Sequence, residues 1–209
     1  MRKPHLRPST ATAIVVLALL IGGFMGDPAD ADNTNLKLPG PKPIPAKSVD
    51  QLAIEGILAK HKSPLPSWTI VAFAQNHPDF DIAGYLTVVW CESSLGTTGG
   101  SFKHNNPGNI KYMEGSDKIW HTLATGKWYC KGQGWYNEYP DMYTGQRAVI
   151  RLLYDGKSGY NRLLADHEWT RFGRTYYGAG VPGLNQYLKN LKSAHARIVK
   201  EAATYGAQW

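Results

Sequence analysis

The sequence predicts a mainly α domain of the α+β class, helical with one small antiparallel β-hairpin. Three observations predict it. Apolar residues recur at helical spacing in several segments, most clearly over 184–199. A stretch from 118 to 139 breaks into short β-like pieces separated by glycines. All 7 Trp and 12 Tyr lie at or after Trp68, so the first third of the chain is compositionally separate from the rest. With 209 residues, 43% hydrophobic and 19% charged, the chain can bury one substantial core, and collagen-like, coiled-coil and wholly disordered classes are excluded.

In chain order, Arg2, Lys3 and Arg7 form a basic head, Ala11 to Met25 is an unbroken apolar and small run, and Ala29-Asp30-Ala31 supplies an A-x-A site. This is the pattern of an export signal over residues 1–31. The run is short for a spanning helix, which needs ~20 residues; an uncleaved anchor is the alternative. Residues 32–47 carry four prolines and no aromatic, an extended linker. The domain is expected over 48–209. Ser48 and Gln51 form a capping box ahead of Leu52, Ile54, Ile57 and Leu58. Ser63-Pro64-Leu65-Pro66 ends that helix, and a second runs from Trp68 to Gln75. A third opens at Asp81 and buries Ile82, Tyr85, Leu86 and Val89. Residues 96–108 read as loop. Ile119–Thr122, Trp128–Cys130 and Trp135–Tyr139 read as strand pieces. Helices follow over Gly145–Tyr154 and Tyr160–Asp166, and a last one buries Leu184, Tyr187, Leu188, Leu191, Ala194, Ile198 and Val199.

The net charge of +7 suits an anionic partner, whether nucleic acid, a membrane face or an anionic wall polymer. The basic residues are scattered, with no run of five, which argues against nucleic acid. Zinc-finger, HExxH, Walker, GxGxxG and GxSxG patterns are all missing, so neither a metal nor a cofactor is expected. Cys91 and Cys130 are the only cysteines. Export would let them form a disulfide; two free thiols, one packed as a small hydrophobe, are the alternative.

Glu92 carries the chemistry. Continuing the 82–85–86–89 face places Glu92 or Ser93 on the buried side of the third helix. A carboxyl group there loses hydration and holds its proton more tightly, as a general acid for glycosidic cleavage must. The plain alternative, an exposed Glu in the last helical turn, is electrostatically poor, because the carbonyl end repels a carboxylate.

Cys91-Glu92-Ser93-Ser94-Leu95-Gly96-Thr97-Thr98, followed by Asn105-Asn106-Pro107-Gly108-Asn109-Ile110-Lys111, resembles the endo-β-N-acetylglucosaminidase domains of glycoside hydrolase family 73, bacterial peptidoglycan hydrolases. The Ile57–Leu65 entry and the Trp135–Pro140 strand end are similar to that family too. The resemblance implies a lysozyme-like fold with the hairpin beside an active-site cleft. It implies Glu92 as catalytic acid, with Asn105 and Asn106 orienting its carboxyl or holding an N-acetyl group. Trp120, Trp128, Trp135 and Tyr139 are the candidate sugar-binding aromatics. The family's second glutamate, in a hairpin T-x-E pattern, is missing from His121–Gly126. Glu138 is then the candidate second carboxylate, and Tyr177 stands for a late family tyrosine. That departure opens a single-glutamate reading, muramidase or lytic transglycosylase. A wall-binding or assembly domain without catalysis is the alternative of another class. The implied partner is the peptidoglycan glycan strand, met by an exported, monomeric protein.

Overall fold

The computed structural model describes residues 46–154 and 159–209. They belong to a unit spanning Pro45–Trp209. The export signal, and the linker up to residue 45, lie outside the described residues. Nine α-helices, a π-helical turn and two strands make up the described chain. Among the described residues, no helix is long and apolar enough to cross a membrane.

Helix α1 (Val49–Lys60) starts where Ser48 Oγ accepts the Gln51 N–H at 3.1 Å. The capping box is half made, because the Gln51 amide turns to Glu55 instead. Ala53, Ile54, Ile57 and Leu58 are buried, while Leu52 points outward. Helix α2 (Ser67–Asn76) follows the prolines. Helix α3 (Ile82–Ser93) is capped by Asp81, whose Oδ1 accepts the Gly84 N–H at 2.9 Å. Every residue from Ile82 to Val89 is buried, so α3 is the central element rather than an amphipathic one. Its main partner is the terminal helix α9 (Leu184–Ala203), through Tyr187, Leu191, Ala194 and Ile198. Leu86, Leu191 and Ile198 have no solvent exposure, and burying such a side chain contributes about 2 kcal/mol.

Between α3 and α9 run the short helices α4 (Gly99–Lys103) and α5 (Ile119–Thr122), then strands β1 (Gly126–Cys130) and β2 (Gly134–Glu138). The strands pair antiparallel with Trp128 opposite Tyr136, and Lys111 adds an isolated bridge to Tyr136. Helices α6 (Met142–Tyr154), α7 (Tyr160–Ala165) and α8 (Trp169–Gly173) follow, and α8 runs into a π-helical turn, Arg174–Gly178.

Three expectations are corrected here. Within the stretch read as loop, Gly99–Lys103 forms helix α4. Ile119–Thr122 is helical, not a strand: the N–H groups of Thr122 and Leu123 bond back to the carbonyls of Lys118 and Ile119. Cys91 and Cys130 are unbonded. Cys91 is half-buried on α3, and burial with the neighbouring Glu92 charge pushes its thiol up to about 12. Cys130 ends β1 and turns its thiol to Gln133 Oε1 at 3.6 Å.

A charged knot ties α1 to α9. Glu201 is reached by His61 Nε2 at 2.7 Å, Arg197 Nε at 3.0 Å and Lys60 Nζ at 3.2 Å. Burial alone would raise the Glu201 carboxyl; the bonds from His61, Arg197 and Lys60 overcome it and hold the group at about 2, against an ordinary 4.5. A depressed carboxylate stabilises the fold above its unfolded value and loses that contribution as pH falls toward 2. Glu201→Gln is therefore expected to cost about 3 kcal/mol at pH 7. The difference from wild type should shrink below pH 5 in urea titrations. A pH-independent difference would contradict the account.

Candidate active site

Glu92 lies in the last turn of α3, and the chain beyond it is held tightly. Ser94, Leu95 and Gly96 all take left-handed backbone conformations, with φ of 50°, 60° and 79°. Leu95 is fully buried in that conformation, which costs energy for a residue with a Cβ. The buried Ser93 hydroxyl reaches the Pro107 carbonyl at 2.7 Å and accepts the Gly96 N–H at 2.8 Å. Ser63 Oγ donates to the Leu95 carbonyl at 2.7 Å. The helix end is thus pinned to both the α1–α2 connection and the Asn105–Ile110 loop.

That loop brings the first polar partner. Asn109 adopts a left-handed φ of 48°. Its Oδ1 accepts the Ser101 hydroxyl at 2.6 Å, which turns its amide nitrogen toward Glu92. Asn109 Nδ2 donates to the Glu92 backbone carbonyl at 2.5 Å and to Glu92 Oε2 at 3.3 Å. The second partner comes from α9: Tyr187 Oη donates to Glu92 Oε1 at 2.7 Å. Tyr176, in the π-helical turn, donates to the Gly108 carbonyl at 3.0 Å and closes the same region.

These neighbours decide the ionisation of Glu92. Glu92 is half-buried, and protein atoms surround most of its carboxyl. Burial pushes it up to about 7 from an ordinary 4.5, and the bonds from Tyr187 and Asn109 pull the other way and limit the rise. The carboxyl therefore holds its proton to near neutrality. Tyr187 occupies Oε1 with a short bond, whereas Oε2 has only the longer amide contact, so Oε2 is the oxygen left to carry a transferable proton. Burial, then the Glu92 charge, push the Tyr176 and Tyr187 phenols well above their ordinary range, so both remain donors.

The other expected site residues fall into three groups. Asn106 is fully buried and spends its amide on the Ile110 and Asn137 carbonyls, at 3.0 and 2.9 Å, while its oxygen accepts the Ile110 N–H. Asn105 donates to the Tyr139 carbonyl at 3.1 Å. Tyr139 is buried, and its hydroxyl donates to the Trp120 carbonyl at 2.6 Å. These three brace the loop against the hairpin, and none touches Glu92. Glu138 meets a histidine instead, with Oε1 3.1 Å from His104 Nδ1. Trp128 stacks on His104 and on Tyr136, at ring separations of 4.7 and 5.0 Å, and is half-buried. Trp120 is half-buried on α5 rather than on a strand. Trp135 is the open one, 48% exposed beside Tyr129 on the outer hairpin face. Tyr177 stacks on Tyr187 at 4.6 Å, one ring removed from Glu92.

Sequence reasoning assigned no role to Asn109 or Tyr187, the two side chains that hold the Glu92 carboxyl. Comparison with protein-family models, with curated proteins and with solved structures gave no match.

Tyr187→Phe removes a bond that favours the charged carboxylate, so the Glu92 ionisation should move further up. A nuclear magnetic resonance titration of the Glu92 side-chain carboxyl should show that rise. An unshifted titration would reduce Tyr187 to packing.

Proposed function

We propose that this protein cleaves β-1,4 glycosidic bonds in peptidoglycan glycan strands, with Glu92 as general acid. The observation that supports this reading is the Glu92 carboxyl itself. Burial raises it to about 7, and two donors on separate elements fix its orientation. A carboxylic acid that keeps its proton near neutral pH can deliver it to a departing glycosidic oxygen. The three successive left-handed residues after Ser93 support the same reading, since such backbone persists where surrounding contacts enforce it, often at functional sites.

The resemblance of Glu92–Thr98 and Asn105–Lys111 favours an endo-β-N-acetylglucosaminidase on a lysozyme-like fold, acting outside the cytoplasm. A single-acid enzyme is the second reading, favoured by Glu138, whose carboxylate is engaged by His104. In a lytic transglycosylase Glu92 would first protonate the leaving oxygen. Its carboxylate would then take the proton of the muramic acid C6 hydroxyl as that oxygen bonds to C1 and closes a 1,6-anhydro ring.

Mass spectrometry of purified peptidoglycan after digestion separates the readings. New reducing-end N-acetylglucosamine fits the first. New reducing-end N-acetylmuramic acid marks a muramidase, and 1,6-anhydro ends mark a transglycosylase. Digestion confined to peptide bonds would remove the glycosidase reading, and bound strands left intact would mark a wall-binding domain.

A further inference from the structure

A concavity of about 380 Å³ lies where α8, the π-helical turn and α9 meet. Arg171, Arg174 and Lys192 line it with His167, above the buried Trp169. Its one acidic lining residue, Glu168, lies 3.6 Å from Arg171. Arg174 and Lys192 have no ion-pair partner among the described residues. Two unbalanced cations converging on one cleft favour an anion, and guanidinium groups suit the flat two-oxygen face of a carboxylate.

The cleft is joined to the Glu92 region by the π-helical turn. Arg174 and Thr175 line the cleft. The next two residues belong to the other side: Tyr176 bonds the Gly108 carbonyl, and Tyr177 stacks on Tyr187, the Glu92 donor. π-helical turns are uncommon and recur at functional sites. One turn of chain therefore carries both Arg174, which lines the cleft, and Tyr177, which stacks on the Glu92 donor Tyr187.

We propose that the Arg171–Arg174–Lys192 cleft binds the free carboxylates of the stem peptides carried by the glycan strand. The proposal rests on the reading of Glu92 as a glycan-cleaving acid. It makes the protein prefer peptide-bearing strands to bare ones.

The test measures binding by the full chain carrying Glu92→Gln, so that strands stay intact. Two soluble probes are used: glycan strands with their stem peptides, and strands stripped of peptide by an amidase. Arg174→Ala with Lys192→Ala should weaken binding of peptide-bearing strands about tenfold and leave stripped strands unchanged. Added salt should erase most of that difference. Lys103→Ala with Lys189→Ala removes two exposed charges outside the cleft and should change neither. An equal loss on both strands, or no loss on either, overturns the proposal and leaves the Glu92 reading standing. Binding of a phosphodiester wall polymer in preference to peptide-bearing strands would also overturn it. Failure to bind either strand would overturn both readings.

Discussion

Replacing Glu92 by Gln is expected to lower the rate of glycan cleavage by about 10²–10⁴-fold, the usual worth of a general acid. The amide keeps the size of the carboxyl and its oxygen can still accept from Tyr187, but it has no proton to give. Circular dichroism and a melting curve should show an intact fold. The sign of the stability change is a separate check. Glu92 ionises near 7 in the fold and near 4.5 as an ordinary carboxyl. Its contribution to stability is therefore present below about pH 4.5 and lost as pH rises through 7. Glu92→Gln escapes that loss, and at pH 8 it should be more stable than wild type by up to about 3 kcal/mol. Glu138→Gln, at a carboxylate that pairs with His104, should have a much smaller effect on rate. A comparable effect would make Glu138 the second catalytic carboxylate.

Gly145→Ala is expected to be the most damaging small change to the fold. Gly145 lies in the first turns of α6 against the Asn105 loop. A Cβ there would stand 1.7 Å from the Asn105 carbonyl oxygen and 3.0 Å from Pro107 Cδ. The blocking atom is backbone, so no rotamer change relieves it. Either α6 or the loop must move, at a cost of about 3 kcal/mol or more. For a domain of this size that lowers Tm by about 10 °C. Displacing the loop also displaces Asn109, so residual folded protein should be slow on glycan. A variant melting within about 2 °C of wild type would contradict this packing.

The helical frame was legible where a cap or an apolar stripe with a period near 3.6 marked it, as at Ser48 and Asp81 and along α9. The Asp81 cap and the Tyr187–Ile198 stripe are where the pattern put them. Ile119–Thr122 misled because Ile, Trp and Thr favour strands, whereas four residues between loops follow their local hydrogen bonds. The polar site was half legible. Extending the buried face by one turn reached Glu92 or Ser93; the core buries Ser93, and Glu92 is half-buried against Asn109 and Tyr187. Asn106 carries the amide chemistry expected of a ligand but spends it on three backbone groups, a distinction that only tertiary placement makes. Tyr187 was hidden in a core stripe, since a tyrosine whose ring packs and whose hydroxyl serves a carboxylate looks the same as one that only packs. Asn109 differs from its neighbours only through Ser101, eight residues earlier.

The pH dependence of glycan cleavage bears most directly on the central claim. Measured as kcat/KM on soluble glycan strands, activity should hold below about pH 7 and then fall about tenfold per pH unit, as the Glu92 proton is lost. The residual rate of Glu92→Gln should lack that limb. A wild-type profile that stays flat from about pH 6 to pH 9, or an unchanged alkaline limb in Glu92→Gln, would contradict a buried Glu92 acting as the acid.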